Sequence, residues 1–147
     1  MRVYRTVALL CLAGLLGMAA GVTWAGSTEP ELAIADTSAT VDSGVVTLEV
    51  FGSFDYADAI RLGYPLAIVV TQNDTVARLS LDGTVTVATG PNPPAPVPSA
   101  RGVVAIAPQR LSAALPPEFT AGGQAAVRLE ATYEGNPLRS NSVPVQW

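Results

Sequence analysis

Leu79-Ser80-Leu81-Asp82-Gly83-Thr84-Val85-Thr86-Val87 is the stretch that decides the fold class. On either side of Asp-Gly, apolar and polar residues alternate, so each flank presents one buried and one wet face, as a half-buried strand does. Asp-Gly is a favoured pair for two-residue hairpin turns of type I′, whose central residues both need positive φ. The stretch predicts an antiparallel hairpin turning at Asp82-Gly83.

Toward the N-terminus the same grammar repeats. Residues 75–81 return from an Asn73-Asp74 turn, and residues 64–72, the most apolar run, read as a central strand. Residues 45–54 place Val46, Leu48, Val50 and Phe54 on one side and Thr47 and Glu49 on the other, after an Asp42-Ser43-Gly44 turn. Residues 31–36 form a first strand with Leu32 and Ile34 on one face. Only residues 55–62 have helical character, with Asp55 as a cap, Asp58 in the first turn and Gly63 as a stop.

Toward the C-terminus, residues 90–99 hold five prolines. Proline donates no ladder hydrogen bond, so this segment is expected to cross between sheets as an extended polyproline-type loop. Strands then follow at 101–108, 111–115 and 124–133, the last with Val127, Leu129, Ala131 and Tyr133 inward. A turn at Glu134-Gly135-Asn136-Pro137 leads into a closing strand, 138–147. Eight or nine short strands at this spacing make the pattern of an antiparallel sandwich or barrel.

The first residues follow a different rule. Arg2 and Arg5 precede an uncharged stretch rich in Leu, Ala, Val and Gly, which ends at Thr23-Trp24-Ala25-Gly26. This is the pattern of a secretory signal peptide over residues 1–25, cut between Ala25 and Gly26, with a cut after Gly21 as the alternative. Residues 6–28 are also long enough to span a bilayer as an uncleaved anchor. In both cases the chain beyond is exported, to the periplasm or the exterior. Cys11, the one cysteine, sits too early to be a lipid-modified first residue. Residues 26–147 then make one domain without a disulfide, carrying six arginines against twelve acids. No basic stripe exists to neutralise phosphates, which argues against a nucleic-acid partner.

Ala131-Thr132-Tyr133, a turn, and Ser140-Asn141-Ser142-Val143-Pro144-Val145-Gln146-Trp147 resemble the last hairpin of bacterial immunoglobulin-like domains. Leu115-Pro116-Pro117-Glu118-Phe119 to Ala121-Gly122-Gly123 resembles the loop leading into it. The resemblance covers the last third of the chain and implies an immunoglobulin-like sandwich of about seven to nine strands. The inter-sheet cysteines and core tryptophan of antibody domains are absent, so antibody-like recognition is not implied, and the fold alone implies no function.

Composition narrows the chemistry. With no histidine, no lysine and no cysteine after residue 11, Ser-His-Asp, Cys-His and Ser-Lys catalysis and His/Cys metal sites have no residues to build them. Carboxylates remain. Asp55, Asp58, Asp74 and Asp82 could converge as an acid/base pair or as calcium ligands, although each also has a local reason to sit in a turn. Tyr56 and Tyr64, flanking the helical turn, offer aromatic faces to a sugar. Asp55, Tyr56, Asp58 and Tyr64 are thus the candidate ligand face. Asn73-Asp74-Thr75 matches a glycosylation acceptor, for which a tight turn is the simpler explanation. Trp147 ends an alternating run as in small outer-membrane barrels, but Pro144 interrupts it and the strands are short for a membrane.

These features favour a non-catalytic exported module, without cofactor or metal. It would contact another envelope or extracellular protein through a strand edge, and touch the membrane only through an uncleaved leader. The strand carrying Leu32 and Ile34, blunted at one end by Glu29, Pro30 and Glu31, is the edge the sequence suggests. A carbohydrate-binding module or carboxylate-dependent hydrolase on the same fold is the alternative, and a small membrane barrel a lesser one.

Overall fold

The computed structural model describes residues 32–54, 65–98, 103–107, 109–119 and 122–147. The leader, Ala25, Gly26 and the helical turn expected at 55–62 lie outside the described residues. Strands account for most of what is described: β1 (Ala33–Asp42), β2 (Val45–Ser53), β3 (Ala67–Gln72), β4 (Thr75–Ser80), β5 (Thr84–Thr89), β6 (Ala95–Pro98), β7 (Val104–Ala107), β8 (Arg110–Ala114), β9 (Gln124–Tyr133), β10 (Asn136–Arg139) and β11 (Val143–Gln146). One turn of 3-10 helix, Pro117–Phe119, precedes β9.

All described pairings are antiparallel. A four-stranded sheet runs β1-β2-β8-β7. A seven-stranded sheet runs β10-β9-β3-β4-β5-β6, with β11 also on β9. Both sheets are open, so the barrel reading of the C-terminal strand is corrected. Apolar residues point inward between the sheets, and Trp147 is held by protein groups. Its indole N–H donates to the Phe119 carbonyl at 3.0 Å, and its backbone pairs with Gly123.

Alternation produced this arrangement. Val46, Leu48 and Val50 of β2 are buried while Thr47 and Glu49 are not, and Ala125, Val127, Leu129 and Ala131 do the same on β9. They meet Ile68, Val70, Ala77, Leu79, Leu111 and Phe119 in one core. β3, paired on both sides by β4 and β9, is buried along nearly its whole length. Ile68 and Val70 face the core, while Ala67 and Val69 are buried on the other face as well, which accounts for the continuous apolar run.

The turns differ from expectation in an instructive way. Ser43-Gly44 (φ 51° and 77°) and Glu134-Gly135 (φ 48° and 81°) are the two-residue hairpins with both central φ values positive. At Asp82-Gly83 only the glycine has positive φ, 85°. Three residues separate Ser80 from Thr84, the Gly83 amide donates to the Ser80 carbonyl at 3.1 Å, and Leu79 pairs with Val85. The hairpin is a type I turn followed by a left-handed glycine, the usual three-residue solution. Asp82 is drawn into it because its carboxylate accepts the Thr84 amide at 2.8 Å, a local bond that aspartate makes readily.

Two further expectations are corrected. The proline-rich segment is not crossover throughout, since Ala95–Pro98 pairs with β5 as the sheet's last strand. An edge tolerates proline when the missing N–H faces away from the ladder. The closing strand is two strands. Arg139 pairs with Glu130 but Val143 with Val127, a register shift of one residue. Ser140 bridges the break, accepting the Leu129 amide on its hydroxyl and donating its own amide to the Leu129 carbonyl.

β1 has a bulge between Ile34 and Asp36, and there it crowds Gly52 of β2. A side chain on Gly52 would fall on the Ala33 carbonyl. Gly52→Ala should therefore cost about 1–3 kcal/mol through overpacking. Gly135→Ala, with open space but φ of 81°, should cost about 1–2 kcal/mol through backbone strain alone. Urea unfolding measures both, and unchanged stability of Gly52→Ala would contradict the close approach.

Candidate functional site

Of the residues singled out for chemistry, Asp55, Tyr56, Asp58 and Tyr64 lie outside the described residues. Asp74 and Asp82 occupy the turns at opposite ends of β4. Six residues of strand keep them roughly 20 Å apart, too far to act as the paired carboxylates of a hydrolase, which need about 5–9.5 Å. Asp82 is committed to its turn. The Thr84 amide and hydroxyl, with a smaller contribution from Arg78, hold its carboxyl below the usual 3.8. Among the described residues, no group of three or more acidic or cysteine side chains could hold a metal ion.

The edges of the sheets are more informative than the turns. An edge strand presents unpaired backbone donors and acceptors, which natural proteins blunt with proline, charge or a cover. β6 carries Pro96 and Pro98, β10 carries Pro137, and β11 carries Pro144. β1 ends its sheet, as the sequence suggests, and is covered near its start. Leu32 and Ile34 are buried. The Ile34 amide donates to Asn141 Oδ1 at 2.7 Å, and Asn141 Nδ2 donates to the Ile34 carbonyl at 2.9 Å. The carboxamide thus occupies both backbone groups as a neighbouring strand would. A few residues on, the Thr37 hydroxyl donates to the Pro144 carbonyl at 3.4 Å. The strand around Leu32 and Ile34 is thus an edge strand, as the sequence suggests, but its backbone at Ile34 is already occupied.

β7 is different. Val104-Ala105-Ile106-Ala107 contains neither proline nor charge and ends its sheet. Val104 is 57% exposed and Ile106 50%. A register shift between Ala105 and Ala107 frees Ile106 from direct pairing with β8.

The outer face beside this edge is continuous with it. Cross-strand register aligns Asp36, Phe51, Arg110 and Ala107 in one row, and Ser38, Glu49, Ser112 and Val104 in the next. Phe51 is exposed, with the Arg110 guanidinium 5.8 Å from its ring centroid. Arg110 also lies 3.8 Å from Glu49. Asp36, Ser38, Glu49, Phe51 and Arg110 line a shallow open depression. The exposed large apolar residues of the described chain, Val41, Phe51, Val104 and Ile106, all belong to this sheet. Such a concentration marks a contact surface more often than chance does. Sequence reading passed over residues 104–107 because alternation reveals a strand without revealing whether it has one neighbour or two.

Two outcomes check this geometry. Asn141→Ala should destabilise by about 1 kcal/mol and speed hydrogen exchange at the Ile34 amide, and an unchanged exchange rate would contradict the clip. The Thr84 amide resonance should titrate with Asp82 at a midpoint below 3.8. Any stabilisation from this bond is full above the unfolded-state pKa and fades as pH falls through the lowered one, so a midpoint at or above 3.8 would contradict it. Compared with family models, curated proteins and solved structures, the chain matches none, and its surface has to be read from its own geometry.

Proposed function

We propose that this protein is a non-catalytic, exported module of immunoglobulin-like architecture that binds another envelope or extracellular protein by accepting a strand at β7. The observation that carries the reading is the exposed, proline-free and uncharged edge Val104–Ala107. An extended segment laid along it gains main-chain hydrogen bonds, while side chains of both partners meet on the faces. Four residues of edge support a weak or transient contact unless the outer face around Phe51 and Arg110 adds to it.

Strand order supports the immunoglobulin-like part. The sequence β1-β2-β8-β7 coincides with the A-B-E-D sheet of such domains, and β10/β11-β9-β3-β4-β5 with the G-F-C-C′-C″ sheet of the variable type. The missing cysteine pair and core tryptophan depart from antibody domains, and Phe119, fully buried after β8, fills core space instead. Export rests on the arginine-flanked apolar leader and the small residues around Ala25 and Gly26.

A photo-crosslinking residue placed at Val104 or Ile106, in cells that make the protein, should give one discrete adduct. The same residue at Asp74, in the exposed turn between β3 and β4, should give none. Val104→Lys with Ile106→Lys should abolish an adduct formed from Phe51 while leaving the unfolding temperature unchanged, because both side chains are exposed. Adducts of equal yield from Asp74, or none from β7, would remove the proposal.

A further inference from the structure

We propose a second interaction surface, on the outer face of the seven-stranded sheet, where Arg78, Arg128 and Arg139 receive an extended acidic segment of a partner protein. It goes beyond the β7 reading and does not depend on it.

Distribution of charge is the starting point. The chain is acidic overall, with formal net charge −4, yet Arg78, Arg128 and Arg139 gather around one carboxylate. Arg78 Nη1 lies 2.7 Å from Glu130 Oε2, while Arg128 Nε and Arg139 Nε lie 2.9 and 3.5 Å from Oε1. Arg128 and Arg78 share a cross-strand row on either side of Val69, and Arg139 stands opposite Glu130 in the next row of that face. Asp82 lies near enough to Arg78 for its carboxyl to feel it. Three guanidinium groups against two carboxylates still leave excess positive charge in a negative molecule.

The cluster has a structural use, since Glu130 ties arginines from β4, β9 and β10 across the sheet. Arg78 and Arg139 serve that purpose, whereas Arg128, on the same strand as Glu130, ties no further strand and adds a positive charge. Arg139 has a side chain 70% exposed and makes the longest of the three contacts. Each guanidinium has five N–H donors in a planar fork, more than Glu130 can accept, and the remainder suit further carboxylates in bidentate pairs.

Spacing selects an extended peptide. Alternate residues of a strand present side chains on one side roughly 7 Å apart, and Arg128 and Arg78 are anchored two strand spacings, roughly 10 Å, apart. Flexible arginine stems cover the difference. Acidic residues at alternate positions of a partner segment therefore meet successive guanidinium groups. Among the described residues, the opposite outer face has Asp36, Glu49 and one arginine, Arg110, and offers no such match.

The test titrates the full chain against a dye-labelled peptide of alternating Glu and Thr, read by fluorescence anisotropy at low and physiological salt. Saturable binding that weakens with salt is expected. Arg139→Gln should weaken it about tenfold, as for loss of a charge-assisted hydrogen bond. Arg110→Gln and the β7 lysine pair should leave it unchanged, and Arg2 and Arg5, present throughout, form a common background. Arg78→Gln and Arg128→Gln also strip partners from Glu130, so the exposed Arg139 decides, with circular dichroism confirming each variant's fold. No saturable binding at low salt, no effect of Arg139→Gln, or an equal loss with Arg110→Gln would overturn the proposal. Tighter binding to vesicles of phosphatidylglycerol than to the peptide would overturn it as well.

Discussion

Everything in this fold depends on one apolar layer, the seam where β2 and β8 face β3, β4 and β9. The described residues contain no cysteine, so no covalent staple joins the sheets, and the ladder hydrogen bonds run within each sheet. What holds one sheet to the other is burial of Val46, Leu48, Val50 and Leu111 against Ile68, Val70, Leu79, Val127 and Leu129. A single leucine there contributes a few kcal/mol, a large part of the stability of a domain this size. Phe119 closes one part of the seam, and the Trp147 indole holds the backbone that carries it.

Around that seam the molecule treats its rims unevenly. Proline marks β6, β10 and β11, and the Asn141 carboxamide occupies the outward-facing backbone groups of Ile34. Among the described residues β7 has no proline, charge or cover of this kind, and only its short length and the bulge between Ala105 and Ala107 blunt it. The two outer faces are also unlike. One combines apolar side chains with Asp36, Glu49 and Arg110, and the other collects arginines around Glu130. A sandwich gives two solvent faces to any sequence, and here they have been given opposite chemical characters.

The layers were legible because alternation is a local signal. Val46, Leu48 and Val50, or Val127, Leu129 and Ala131, declare their inward face within a few residues. What was illegible depends on partners far along the chain. Residues 104–107 read as one more strand, and only pairing with β8 on one side alone makes them an edge. Residues 95–98 read as a loop because proline weakens any strand signal, although a strand with one neighbour tolerates it. Asp82-Gly83 misled for a subtler reason: the aspartate carboxylate binds the Thr84 amide and selects a longer turn than the dipeptide suggests. The arginine cluster was hidden because Arg78 and Glu130 are 52 residues apart, and nothing in either neighbourhood announces the other.

The Asn141 clip has a consequence in time. It joins positions 107 residues apart, and Trp147 must reach Phe119 and Gly123 before the last rim is closed. At a synthesis rate of about 5–20 residues per second, roughly 5–20 s pass between the emergence of Ile34 and of the residue that caps it. Through that interval β1 lacks its cover, and β9, made near its end, has no outer neighbours when it emerges. The domain cannot complete itself piecemeal from its N-terminus and must wait for Asn141 and Trp147. A chain that stays unclosed this long leaves the Ile34 backbone open to strands of other molecules. It needs protection from its neighbours while it waits.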